Sequence, residues 1–326
     1  MKLSRKISLC FFCLLSFGAG AETLLVYTAS LPGDLALYEE GFRQKHPDIK
    51  LSFVRDSAGP IATRLLVEKD APKADVVLGL SAIALENLNQ KGLLEPYRPQ
   101  GAEKLNPKMH APDFSWFGMN AWGGSICVNE DLLKRDNLPI PKSWQDLLDP
   151  RYKGKIVMPS PLASSTAYMF LMGWLQGFGE EKGWEYIRKL HKNILLYTSS
   201  GVRPATMVAQ GEVAIGLSSE AFIRAFTKYP IPIKTIDPVE GIAWDAEGSA
   251  LPKGSPHPEA AKKFLDFCAS ADVAKIAAKF SGISAIDSYS TEKGKEISSH
   301  FLPLDFEIAA KNKSAIVKKW QRTVGR

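Results

Sequence analysis

The chain is poor in the residues that most often build catalytic or metal centres. Of its 326 residues only four are cysteine and five histidine. His46, His110, His191, His257 and His300 are widely scattered, and no two share the spacing of a metal site. Cys10 and Cys13 fall in the first 21 residues. Cys127 and Cys268 lie 141 positions apart in apolar stretches, which leaves a disulfide and two buried thiols equally open. There is no G-x-S-x-G elbow, no GxxxxGK[ST] loop and no GxGxxG turn. No serine is accompanied by an evident base. After the N-terminus, nothing offers the ~18 unbroken apolar residues of a membrane helix. These absences argue against metal, nucleotide and common hydrolase chemistry, and no cofactor is expected.

The first 21 residues read as a secretory signal peptide. Lys2, Arg5 and Lys6 form a positive start, Ile7 to Phe17 is apolar except for Ser8 and Ser16, and Ala19-Gly20-Ala21 is a small-residue cleavage site. Neither early cysteine follows a lipoprotein box, so the expectation is a soluble periplasmic protein released near Ala21. Removing the three basic residues takes the formal charge from +6 to +3. That mild excess does not indicate nucleic acid and is compatible with a small anionic ligand. The remaining 305 residues suffice for two cores.

From residue 22 onward, strand-like and helix-like segments alternate. Thr23–Tyr27, Ile49–Val54 and Ala74–Leu78 read as strands, each followed by a polar turn and an amphipathic helix. Lys155–Met158, Ile194–Tyr197 and Glu212–Leu217 repeat the rhythm, and Gly241–Leu251 is extended. The pattern predicts an α/β protein with mostly parallel sheet covered by helices.

The strand-like runs end in hydroxyl or glycine residues just before a helix. Thr28, Ser57, Ser81, Ser164, Ser165, Thr166, Ser199, Ser200 and Gly201 all occupy such turns. Ligands of open parallel sheets bind beyond the carboxyl ends of the strands, where helix N-termini present free N–H groups to anions. The same residues also serve as ordinary N-caps. Arg203 follows one turn closely and could add a bidentate contact to an oxyanion, or be a solvated charge. Glu220 ends an apolar run. Asp245 and Glu247 share one face of an extended segment, with Trp244 on the other. Glu220 and Asp245 are the candidates to receive a ligand ammonium group. Trp116, Trp122 and Trp244 are expected in the core rather than as ligand lids.

Several stretches together carry a family resemblance. They are LLVYTAS (24–30), FVRDSAGPIATRLLVEKDAPKADVVLGL (53–80), KGLLEPY (91–97), PKSWQDLLDPRYKGKIVMPSP (141–161), LHKNILLYTSSG (190–201), GEVAIG (211–216) and EGIAWDAEGSAL (240–251). The chain resembles bacterial periplasmic solute-binding proteins of the ferric-iron-binding-like group, and most of all the branch assigned to 2-aminoethylphosphonate uptake. The resemblance implies a type II periplasmic binding protein fold. Each of its two lobes is a mixed, mostly parallel sheet flanked by helices, and a two-strand hinge joins them. The implied lobe boundaries are 22–121 plus 240–290 for lobe 1 and 122–239 for lobe 2, with 291–326 as C-terminal helices packed alongside. A monomer is implied, one that is not an enzyme and delivers its ligand to an ABC permease and ATPase at the inner membrane.

Two departures bear on the ligand. Iron binders of the group carry adjacent tyrosines where this chain reads Ser218-Ser219-Glu220-Ala221-Phe222, so the phenolates that anchor Fe³⁺ are missing. Phosphonate-binding relatives read S-F-E-Y-R there, and this chain keeps the acidic residue, at Glu220, but lacks the Tyr and Arg that follow. The leading expectation is therefore a phosphorus oxyanion, with 2-aminoethylphosphonate first. A sugar phosphate or ferric ion, an exported phosphatase-type enzyme, and a module signalling to a membrane sensor stand as alternatives.

Overall fold

The computed structural model describes residues 22–325. The signal-peptide reading of residues 1–21, with Cys10 and Cys13, lies outside them. Among the described residues the strands are β1 (Glu22–Thr28), β2 (Ile49–Arg55), β3 (Val76–Ser81), β4 (Leu94–Glu95), β5 (Phe117–Asn129), β6 (Ile156–Pro159), β7 (Ile194–Thr198), β8 (Ile215–Ser219), β9 (Ile233–Ile236) and β10 (Ala243–Pro252). The helices are α1 (Pro32–Lys45), α2 (Ala58–Val67), α3 (Ala82–Gln90), α4 (Glu130–Arg135), α5 (Ser165–Gly177), α6 (Glu180–His191), α7 (Arg203–Ala209), α8 (Glu220–Thr227), α9 (Pro258–Cys268), α10 (Ala271–Phe280), α11 (Glu292–Ser299) and α12 (Phe306–Val324).

The strands run in the order β2-β1-β3-β10-β5-β8-β6-β7, with β4 beside β10 and β9 beside β5. The parallel pairs are β1 with β2 and β3, and β6 with β7 and β8. Every antiparallel pair includes β5 or β10. These two long strands therefore join two parallel sets, and they form the two-strand hinge of a two-lobed fold. The expected strand at Glu212–Leu217 starts later, at Ile215, because Glu212 N–H bonds Met207 O and closes the end of α7.

Two large apolar cores flank the hinge. The first is drawn from residues 24–121 and 242–297, with Phe42, Phe264 and Trp116 among its largest members. The second is centred on Trp144, Phe170 and Trp174, and also takes in Ala309, Trp320 and Val324 from α12. α12 reaches both sides. Its carbonyls at Glu307 and Ala310 accept from Gln90 and Asn87 of α3, and Ala309 O accepts from the Tyr168 hydroxyl of α5 at 2.6 Å. Cys127 and Cys268 are free and buried, and burial pushes each thiol up to about 12. The disulfide alternative is thereby closed. Trp116 and Trp244 are core residues as expected: Trp116 Nε1 donates to Glu86, and Trp244 stacks on Phe301.

Candidate ligand cleft at the facing strand ends

Strand direction sets where a ligand can sit. β3 runs toward the second core and ends at Ser81, level with Glu247 of β10 and hence with Asn120 of β5. β8 runs the opposite way and ends at Ser219, level with Gly124 of β5. The carboxyl ends of the two parallel sets therefore face each other across four residues of β5, a gap of about 13 Å. That gap matches a small organic molecule.

On the second-lobe side the structure brings several predicted residues together. Ser164 is the N-cap of α5, yet its hydroxyl makes no cap bond. Thr166 is in the first turn of that helix. Ser164 and Thr166 are 9% and 4% exposed, and among the described residues neither hydroxyl has a hydrogen-bond partner. Both lie against Gly201: a Cβ there would stand 2.3 Å from Thr166 Oγ1 and 3.3 Å from Ser164 Oγ. Gly201 is required because Thr166 packs so closely against it that a side chain would have no room. Ser218, which the sequence reading passed over, locks the turn by donating to Gly201 O at 2.7 Å. Ser165 is half-buried at the start of α5, while Ser199 and Ser200 are exposed. Arg203 turns away to the surface, where Nη2 lies 3.1 Å from Glu212 Oε2.

On the first-lobe side the predicted residues have divided roles. Thr28 is buried, and its Oγ1 accepts from the Ser30 amide. Ser57 is exposed and makes no cap bond. Ser81 is an ordinary cap, accepting from Ala84 N–H at 3.2 Å. Between them stands Glu247, which the sequence reading noticed but did not select. It accepts from Ser30 Oγ at 2.6 Å and Asn120 Nδ2 at 3.2 Å. Gly79 (φ +70°) adjoins Ser30 and Glu247, and a Cβ there would be 2.7 Å from Glu247 Oε1. The signal for Glu247 was its place two residues beyond Asp245. Only the strand register shows that Glu247, rather than Asp245, is level with the end of β3.

Of the two acidic candidates, one is paired and the other is sealed from solvent. Glu220 opens α8 and pairs with Arg224 at 3.1 Å. Burial raises its carboxyl and Arg224 opposes the shift. Arg224 in turn donates to Phe280 O at the end of α10. Asp245 is fully buried in the hinge. One of its carboxylate oxygens accepts from Ala246 N–H, and the other has no hydrogen-bond partner among the described residues. Burial pushes its carboxyl up to about 7, against the pull of the Ala246 amide, the Ser81 hydroxyl and the Lys313 ammonium.

A raised folded-state value means that the native chain holds this proton more tightly than the unfolded chain does. Stability contributed by Asp245 is therefore largest at low pH and falls as pH rises from about 4 to about 7. Asp245→Asn should flatten that fall. The check is urea denaturation of both proteins at pH 5.5 and pH 8, and an unchanged slope in the variant would contradict it.

Two surface concavities contain none of these residues. One runs from Leu65 to Gly254, and the other lies between α5, α6 and α12.

Comparisons with known proteins agree with this architecture. Residues 71–312 match the SBP_bac_6 family of bacterial extracellular solute-binding proteins. The Sinorhizobium fredii protein y4fP, provisionally named an ABC transporter periplasmic-binding protein, is 29% identical over 279 residues, covering 83% of this chain and 76% of that one. A Salmonella paratyphi A periplasmic protein, provisionally named for binding 2-aminoethylphosphonate, is 26% identical over 279 residues, covering 82% and 80%. The periplasmic binding protein AfuA of Actinobacillus pleuropneumoniae, solved with fructose-6-phosphate, aligns with a TM-score of 0.85 at 26% identity, covering 93% of this chain and 99% of AfuA. With its type II two-lobed fold, the chain belongs to the bacterial extracellular solute-binding proteins, the periplasmic substrate-binding components of ABC transporters.

Proposed function

We propose that the protein captures a small phosphorus oxyanion, 2-aminoethylphosphonate first among the candidates, and hands it to an inner-membrane permease and its ATPase. The observation that carries this reading is the pair of buried residues Ser164 and Thr166, whose hydroxyls have no hydrogen-bond partner among the described residues, at the N-terminus of a thirteen-residue helix. A helix N-terminus offers free N–H donors and a positive dipole end, and two idle hydroxyls complete a seat for an oxyanion. Ser165 and the Ser199-Ser200-Gly201 turn border that seat. Lobe 1 is taken as 22–121 plus 240–290, lobe 2 as 122–239, and 291–326 as helices packed alongside. Closure of the lobes over the ligand strengthens these contacts by excluding water. The protein works as a monomer, after removal of residues 1–21, and returns its ligand unchanged.

The test is a thermal-shift series on the mature chain stripped of ligand, with 2-aminoethylphosphonate, inorganic phosphate, fructose-6-phosphate and ferric citrate. A ligand present at 100 times its Kd adds about 2.7 kcal/mol to stability. A rise in melting temperature with 2-aminoethylphosphonate supports the reading. A rise with fructose-6-phosphate alone moves the ligand to the sugar phosphates, as the likeness to AfuA favours. No rise with any phosphorus compound rejects the oxyanion reading.

A further inference from the structure

The two sides of the cleft differ in charge. The second-lobe side offers neutral donors at Gly201, namely Ser164, Thr166 and the α5 amides, and the carboxylate that follows β8 there, Glu220, is paired with Arg224. The first-lobe side is acidic. Glu247 lies half-buried at the level where β3 ends. It is fixed from two directions by Ser30 and Asn120, which occupy part of its acceptor capacity. Asp34, at the start of α1, is close enough that Glu247 is the second cause, after burial, pushing its carboxyl up to about 6. Burial raises the Glu247 carboxyl as well. Among the described residues no cation pairs with either group. The guanidinium of Arg55 donates its Nε to Ser30 O. A carboxylate held rigid by two donors, crowded by a second carboxyl and lacking a cationic partner, is arranged to accept a cation from outside.

From this division we infer that Glu247 is the residue that selects an ammonium-bearing ligand, which lies across the cleft with its oxyanion at the α5 N-terminus and its ammonium at Glu247. The inference rests on the oxyanion reading above and adds the polarity and orientation of the ligand. It also reassigns the amine contact from Glu220, which Arg224 occupies, and from Asp245, which is sealed in the hinge.

The test compares two probes that differ only in the ammonium group, 2-aminoethylphosphonate and ethylphosphonate. Affinities are measured by calorimetry on the mature chain and three variants. The wild type should prefer 2-aminoethylphosphonate by at least about 30-fold, the usual scale for a desolvated, hydrogen-bonded charge pair. Glu247→Gln, which keeps the side-chain shape, should bring that preference to within about threefold. Glu247→Asp keeps the charge but withdraws it by one methylene, and should give an intermediate ratio. Thr166→Ala should weaken both probes together by about tenfold, the scale of one hydrogen bond to a charged group, and leave the ratio intact. A wild-type protein that binds both probes equally, or a Glu247→Gln variant that keeps the preference, overturns the inference while sparing the oxyanion reading. If the wild type binds neither probe, this inference fails; the oxyanion reading fails with it only if inorganic phosphate and fructose-6-phosphate also leave the melting temperature unchanged.

Discussion

Replacing Ser164 with Asp is expected to abolish phosphonate and phosphate binding while leaving the protein at least as stable as the wild type. The two effects have opposite signs because Ser164 holds two positions at once. As N-cap of α5 it makes no cap bond of its own, and Asp is as good an N-cap as Ser, with a charge that suits the positive end of a helix. As a residue packed against Gly201 at the proposed seat, the substituted side chain would place a full negative charge where the oxyanion is proposed to sit. Two unit charges about 4 Å apart at an effective dielectric near 20 repel by about 4 kcal/mol, roughly a thousandfold in affinity. The measurement is calorimetric titration paired with thermal melting. Retained affinity in a folded Ser164→Asp protein would remove the anion seat from α5. Lost affinity accompanied by a lower melting temperature would point to a damaged helix instead.

Trp144→Ala should be among the most destabilising single changes in the second lobe, at about 3–5 kcal/mol. Trp144 is fully buried and stands edge-on to Phe170 and Trp174, with ring centroids 5.7 and 5.5 Å away. Its indole N–H donates to Gly241 O at 2.9 Å, and its amide N–H donates to Glu240. The substitution therefore opens a cavity in the lobe and also strands a carbonyl just ahead of hinge strand β10. Urea denaturation should show a large fall in midpoint. Trp144→Phe should recover much of the packing but not the bond to Gly241. A loss below about 1 kcal/mol in the alanine variant would mean that the site collapses freely, against the dense aromatic packing around it.

Much of the fold was legible because local chemistry agrees with it. The all-buried run Val76–Ser81 is continuous and apolar, as a parallel strand covered on both faces must be. The helix after it begins at Ser81, and that serine is the cap its type suggests. β5 was not legible. It is glycine-rich at Gly118, Gly123 and Gly124, and it is buried on both sides without alternation, so no periodic signal marks it. The glycines are there because neighbours come too close for a side chain: a Cβ at Gly124 would stand 2.3 Å from Met169 Cε.

The candidate site divides along the same line. The amino-acid sequence by itself determined the α/β rhythm and the family likeness. It also determined the hydroxyl-rich strand ends, because each of these depends on residues adjacent in the chain. It could not decide which of those hydroxyls are caps and which are idle. Ser81 and Ser164 look alike as N-cap candidates, and only the packing of Gly201 against Ser164 and Thr166 separates them. Nor could it choose among Glu220, Asp245 and Glu247. Their availability depends on Arg224 one helical turn away, on burial in the hinge, and on Ser30, which is 217 positions distant in sequence yet 2.6 Å away in space. Whether a carboxylate is engaged or open to a ligand depends on such long-range contacts, and only the tertiary structure brings those groups together.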